Sequence, residues 1–86
     1  MAYTVELTRK ADKQLQKLPE ETQRRIVRAL EELEDDPRPH GSAKLKGEEN
    51  LYRIRMGDYR IIYSIEDNKL IVIVVRVGHR RDIYNK

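Results

Sequence analysis

The order of apolar and polar positions breaks this chain into short, distinct elements. Tyr3, Val5 and Leu7 alternate with Thr4 and Glu6, the period of a strand with one buried side. Thr8 is placed to cap a following helix, in which Ala11, Leu15 and Leu18 fall on one side at spacings of four and three. Pro19 interrupts that pattern. Proline suits the first turn of a helix, and Glu20 and Glu21 favour its positive end, so a second helix starts here. Its buried stripe is Ile26, Leu30 and Leu33, and Pro37 closes it after Asp35 and Asp36. The two helices are expected to form an antiparallel hairpin.

The stretch from Asp36 to Ser42 reads as a loop by its proline, glycine and polar content. Three strands follow, Leu51–Met56, Tyr59–Glu66 and Lys69–Gly78, separated by Gly57-Asp58 and Asp67-Asn68, which both suit tight hairpin turns. The pattern predicts an α+β fold: an N-terminal strand, a two-helix hairpin, then a three-stranded antiparallel meander with the helices on one face of the sheet. A length of 86 residues has room for one modest core, so residues 1–86 are expected to form a single domain.

The first turn fixes a register. With Gly57-Asp58 as a two-residue turn, Met56 pairs with Tyr59, Arg55 with Arg60 and Arg53 with Ile62. Side chains alternate, so Arg53, Arg55 and Arg60 project from one side, and Tyr52, Ile54, Met56, Tyr59, Ile61, Tyr63 and Ile65 from the other. The second set is a core face for the helices. A two-residue turn at Asp67-Asn68 pairs Ile65 with Leu70 and Ile62 with Ile73, which adds Ile71, Ile73, Val75 and Val77 to the arginine side. Something is expected to cover those apolar residues, either the C-terminal tail or another chain. Two readings of the arginines stand side by side. They splay apart on a solvated surface, or, with Lys44 and Lys46 upstream, they form an anion site, because arginine's planar fork matches phosphate oxygens.

Charge sharpens this picture. Residues 1–43 carry 8 Lys and Arg against 9 Asp and Glu, whereas residues 44–86 carry 10 against 6, so the excess cation lies in the second half. That balance permits a nucleic-acid partner. There is no cysteine, which removes disulfides, thiol nucleophiles and thiolate metal sites. The histidines His40 and His79 are at no ligand spacing from a helical carboxylate, so no metal and no cofactor are expected. Met1 leads straight into a charged strand and the longest apolar run is Leu70 to Val75. Neither a signal peptide nor a membrane span is expected, and a cytoplasmic location is. The tail from Val77 to Tyr84 adds His79, Arg80, Arg81 and Tyr84. Cations, a phenol and an imidazole suit metal-free RNA cleavage, where the substrate brings its own 2′-hydroxyl nucleophile.

Lys44-Leu45-Lys46-Gly47, Leu51-Tyr52-Arg53-Ile54-Arg55, Gly57-Asp58-Tyr59-Arg60-Ile61-Ile62-Tyr63 and Arg76-Val77-Gly78-His79-Arg80-Arg81-Asp82-Ile83-Tyr84 together resemble the RelE-type toxins of toxin–antitoxin pairs. The resemblance implies a ribosome-dependent endoribonuclease that cuts mRNA in the A site by 2′-hydroxyl attack. It implies catalytic roles for Arg53, Arg55, Arg60, Arg80 and Tyr84, with His79 as a second proton-handling candidate. Lys44, Lys46, Arg76 and Arg81 are then expected to contact RNA or the ribosome. Lysines often stand at the positions of Arg53 and Arg55 in that family; arginines keep the charge and hardly deprotonate. Implied partners are a RelB-like cognate antitoxin, the ribosome with its mRNA, and operator DNA only through the antitoxin complex. ParE-type gyrase inhibitors share the scaffold, so non-enzymatic inhibition of DNA gyrase is the alternative activity. A third is a relic that only binds its antitoxin or operator DNA.

Overall fold

A polar side chain caps the first helix, and an apolar stripe buries each of the two helices. The structure, a computed structural model, describes residues 2–47 and 50–83. After strand β1 (Thr4–Leu7), the Thr8 hydroxyl accepts from the Ala11 amide at 3.1 Å and caps α1 (Arg9–Gln16). Pro19 stands just ahead of α2 (Glu20–Asp35). Gln23 of α2 reaches back to donate to the Leu18 and Gln16 carbonyls at 2.8 and 3.2 Å, satisfying acceptors left over at the end of α1. Three more strands, β3 (Leu51–Met56), β4 (Tyr59–Glu66) and β5 (Ile71–His79), follow a two-residue edge strand β2 (Ala43–Lys44).

The sheet order is β1-β5-β4-β3-β2. The antiparallel meander is as the pattern predicts, but β1 lies parallel to β5, with Val5 opposite Val72 and Leu7 opposite Val74. The sheet is therefore mixed. Alternation within β1 reveals which of its sides is buried; it carries no information about its neighbour. Ala11, Ile26, Leu30 and Leu33 from the helices form one buried cluster with Ile61, Tyr63, Ile65, Val72, Val74 and Val77, so both helices cover the same side of the sheet. Among the described residues no helix is long and apolar enough to cross a membrane.

The β3–β4 register is the expected one, Met56 with Tyr59, Arg55 with Arg60 and Arg53 with Ile62, turning on Gly57 at φ +60°. The β4–β5 register is not. Residues 67–70 make a four-residue turn with Leu70 at φ +55°, and Ile65 meets Val72 instead of Leu70. This two-residue offset leaves each side chain on its expected side. A β-bulge then intervenes: Tyr63 pairs with Val74 but Ile62 with Arg76, which leaves Val75 as the extra residue. Beyond the bulge every side chain changes sides. Val77, expected beside the arginines, is in the core, and Arg76 takes the position beside Ile62. Burial dictates this outcome, since strict alternation would put the Arg76 guanidinium under the helices with Val72 and Val74.

Candidate functional site on the arginine face

The side of the sheet away from the helices carries two rows of paired residues at one end. Arg55, Arg60 and Gly78 form the outer row, and Arg53, Ile62 and Arg76 the row behind it. Residues directly opposite one another have Cβ atoms about 4.5–5.5 Å apart, so four guanidinium stems share a small area. Arg55 is exposed and Arg53, Arg60 and Arg76 are half-buried. Among the described residues, none of these four is in an ion pair. Arg60 Nη1 instead donates to the Gly57 and Tyr59 carbonyls, both at 2.9 Å, which tethers its guanidinium to the hairpin turn.

The tail folds back to the same end. The Asp82 and Ile83 amides donate to the His79 carbonyl at 2.8 and 2.9 Å, closing a turn after β5. Arg80 is bound into the β3–β4 turn: its amide donates to the Asp58 carbonyl at 2.7 Å and its Nε lies 3.7 Å from the Asp58 carboxylate. Ile83 is 3 % exposed, and a Cβ at Gly78 would lie 3.7 Å from its Cδ1, so the tail covers part of the arginine face. Tyr84 lies outside the described residues.

Other expected members of the site are elsewhere. His79 pairs with Tyr59, on the helix side, and the two rings meet edge to face with centroids 5.5 Å apart. Its Nδ1 accepts from the Arg81 amide at 3.1 Å, so the neutral ring carries its proton on Nε2. The structure does not bring this imidazole to the arginines. Lys44 pairs with Tyr52 and so also belongs to the helix side, while Lys46 is exposed in the turn after β2. Arg81 is exposed beside Arg80.

The sequence model described as the ParE toxin of type II toxin–antitoxin system, parDE, matches residues 5–84. Toxin RelG of Mycobacterium tuberculosis is 34% identical over 100% of both chains, and the mRNA interferase toxin RelE of Escherichia coli K12 is 30% identical over 100% of this chain and 94% of that one. A chain in the archaeal RelE–RelB complex from Pyrococcus horikoshii superposes with a TM-score of 0.83 at 33% identity, covering 95% of this chain and 99% of the other. This chain belongs to the RelE/ParE superfamily of type II toxins, as a RelE-type member.

The toxin also carries a polar cluster that sequence patterns gave no sign of. On the helix side of the sheet, Arg38 donates to both Asp67 carboxylate oxygens at 3.2 and 2.8 Å and to the Tyr52 hydroxyl at 3.2 Å, with its guanidinium 5.3 Å from the Tyr52 ring centre. Tyr3 donates to the same carboxylate at 2.7 Å. The Arg38 hydrogen bonds, then that of Tyr3, hold the Asp67 carboxyl down to about 2, and the contact with Asp67 in turn raises the Tyr3 hydroxyl. Tyr63, stacked on Tyr52 at 5.9 Å, donates to the Pro37 carbonyl at 2.8 Å, and burial pushes its hydroxyl up to about 12. These contacts tie the loop after α2 to the sheet. The placement of Arg76, by contrast, had a legible signal: a lone arginine at what strict alternation makes a core position demands a bulge.

Proposed function

We propose that this toxin is a ribosome-dependent mRNA endoribonuclease that cuts by 2′-hydroxyl attack, with residues 1–86 acting as one toxin domain in the cytoplasm. The observation that carries the reading is the gathering of Arg53, Arg55, Arg60 and Arg76 on one sheet face, with no carboxylate in an ion pair with any of them among the described residues. Like charges directly opposite one another destabilise a sheet, and a bound phosphodiester turns that repulsion into attraction. The relative named mRNA interferase toxin supports mRNA as the target.

In the proposed reaction the 2′-oxygen bonds to the adjacent phosphorus and the bond to the 5′-oxygen breaks, leaving a 2′,3′-cyclic phosphate. The proton lost by the 2′-hydroxyl goes to a base, and the departing 5′-oxygen gains one. Arginines hold the phosphate and stabilise the charge that builds on its free oxygens. They hardly deprotonate, so proton transfer falls to another group. Tyr84 is our assignment for it. Lys44, Lys46 and Arg81 are then left for contacts with ribosomal RNA away from the reacting phosphate. The RelE–RelB complexes of relatives support a RelB-like cognate antitoxin here. We assign operator-DNA binding to that complex alone.

Primer extension on ribosome-bound message tests the reading. Wild type is expected to leave defined stops, and Arg60→Ala to cut about 100- to 1000-fold more slowly, the cost of losing one donor to a developing oxyanion. Message left intact by wild type overturns the proposal. One observation favours a second reading, non-enzymatic inhibition of DNA gyrase: the match over residues 5–84 is to a ParE description. Supercoiling blocked in vitro with message uncut would reverse the order of the two.

A further inference from the structure

Arg76 makes a contact that neither a phosphate site nor a solvated surface calls for. The bulge at Val75 turns it out beside Ile62, which is 3 % exposed although it lies outside the main core cluster. The cover over Ile62 therefore comes from the arginine side. Arg76 is half-buried there, and its Nη1 donates to the Ile83 carbonyl at 3.2 Å. The tail turn is thus held from three directions. The His79 carbonyl closes it internally, Ile83 packs against Gly78, and Arg76 grips its last described carbonyl. Arg80 lies within this turn, with its amide on the β3–β4 turn that also tethers Arg60.

We propose that Arg76 is a positioning residue. By holding the Ile83 carbonyl it fixes the turn over residues 79–83 on the arginine face and so sets where Arg80 stands relative to Arg53, Arg55 and Arg60. The bulge puts that donor on this side of the sheet, since without it residue 76 would face the helices. This role rests on the arginine face being the site of cleavage. It differs from direct phosphate binding because Arg76 acts through the tail carbonyl that it holds, and Arg80 is what meets the substrate.

Two variants separate the possibilities. Arg76→Met keeps an apolar stem over Ile62 and removes the donor; Arg76→Lys restores a donor of similar reach. In Arg76→Met the Asp82 and Ile83 amides are expected to exchange with solvent about tenfold faster, the scale of one charge-assisted hydrogen bond, and to return near the wild-type rate in Arg76→Lys. Cleavage at saturating ribosome is expected to fall about tenfold in Arg76→Met, with KM for programmed ribosomes within about twofold. Combined with Arg80→Ala, the loss is expected to stay close to that of the worse single variant, because both act through one turn. Unchanged amide exchange in Arg76→Met overturns the proposal, and so do losses that multiply in full with Arg80→Ala. A wild type that cuts nothing sinks the proposed function alone, and the exchange rates then decide the anchor by themselves.

Discussion

The two sides of this sheet are finished to different degrees. On the helix side, Ile61, Tyr63, Val72, Val74 and Val77 are sealed by α1 and α2, and the buried Tyr63 hydroxyl has its acceptor in Pro37. Even the exposed Arg38 is held by a carboxylate and two tyrosines' worth of aromatic and hydroxyl contact around it. On the other side, Arg55 stands opposite Arg60 and Arg53 and Arg76 flank Ile62, and among the described residues Arg60 and Arg76 donate only to backbone carbonyls. A surface built for stability alone would not set four guanidiniums together. Folding completes one side; under the proposed function an anion completes the other.

Substitutions on the two sides should therefore separate stability from activity. Ile61→Ala is expected to cost roughly 2–5 kcal/mol in urea unfolding, since it empties a fully buried site; a cost below 1 kcal/mol would mean the core is not where the comparison puts it. Tyr63→Phe is expected to cost about 1–2 kcal/mol at neutral pH by leaving the Pro37 carbonyl without its donor. Its hydroxyl titrates near 12 in the fold and near 10.0 when unfolded, so the neutral form's advantage is complete below pH 10 and is lost as pH rises towards 12. The gap between wild type and Tyr63→Phe should narrow across that window, and a gap that stays constant to pH 12 would break the assignment.

On the arginine side the sign reverses. Arg55→Thr is expected to raise stability by about 0.2–1 kcal/mol at low salt by relieving its repulsion with Arg60, with the gain fading as salt is added. Loss of stability at every ionic strength would show that the cluster supports the fold. The smallest effect belongs to Asp67. Its carboxyl is held near 2, below the unfolded value, so its contribution is present above about pH 4 and disappears as pH falls through 2. Melting curves of wild type and Asp67→Asn should differ slightly at pH 6 and converge as pH falls below 2.

How much of this was legible follows the local signals. The β3–β4 hairpin could be read residue by residue because Gly57-Asp58 fixes a two-residue turn between two alternating runs. Around Asp67-Asn68 the turn residues were right and the length wrong, since Leu70 takes a left-handed conformation that its side chain does not advertise. His79 and Lys44 looked like neighbours of the arginines in sequence, yet pairing puts both on the opposite side. Tyr84, central to the proposed chemistry, lies outside the described residues.

By itself, then, the sequence determined every element except the short β2, the helix-covered face and the convergence of Arg53, Arg55 and Arg60, because periodicity and one tight turn are local properties. Only the tertiary structure decided that β1 joins β5 in parallel, that Val75 bulges, and that Arg76 meets Ile83. Those depend on which strand lies alongside which, and on the cost of burying a guanidinium beneath the helices, which no local pattern carries.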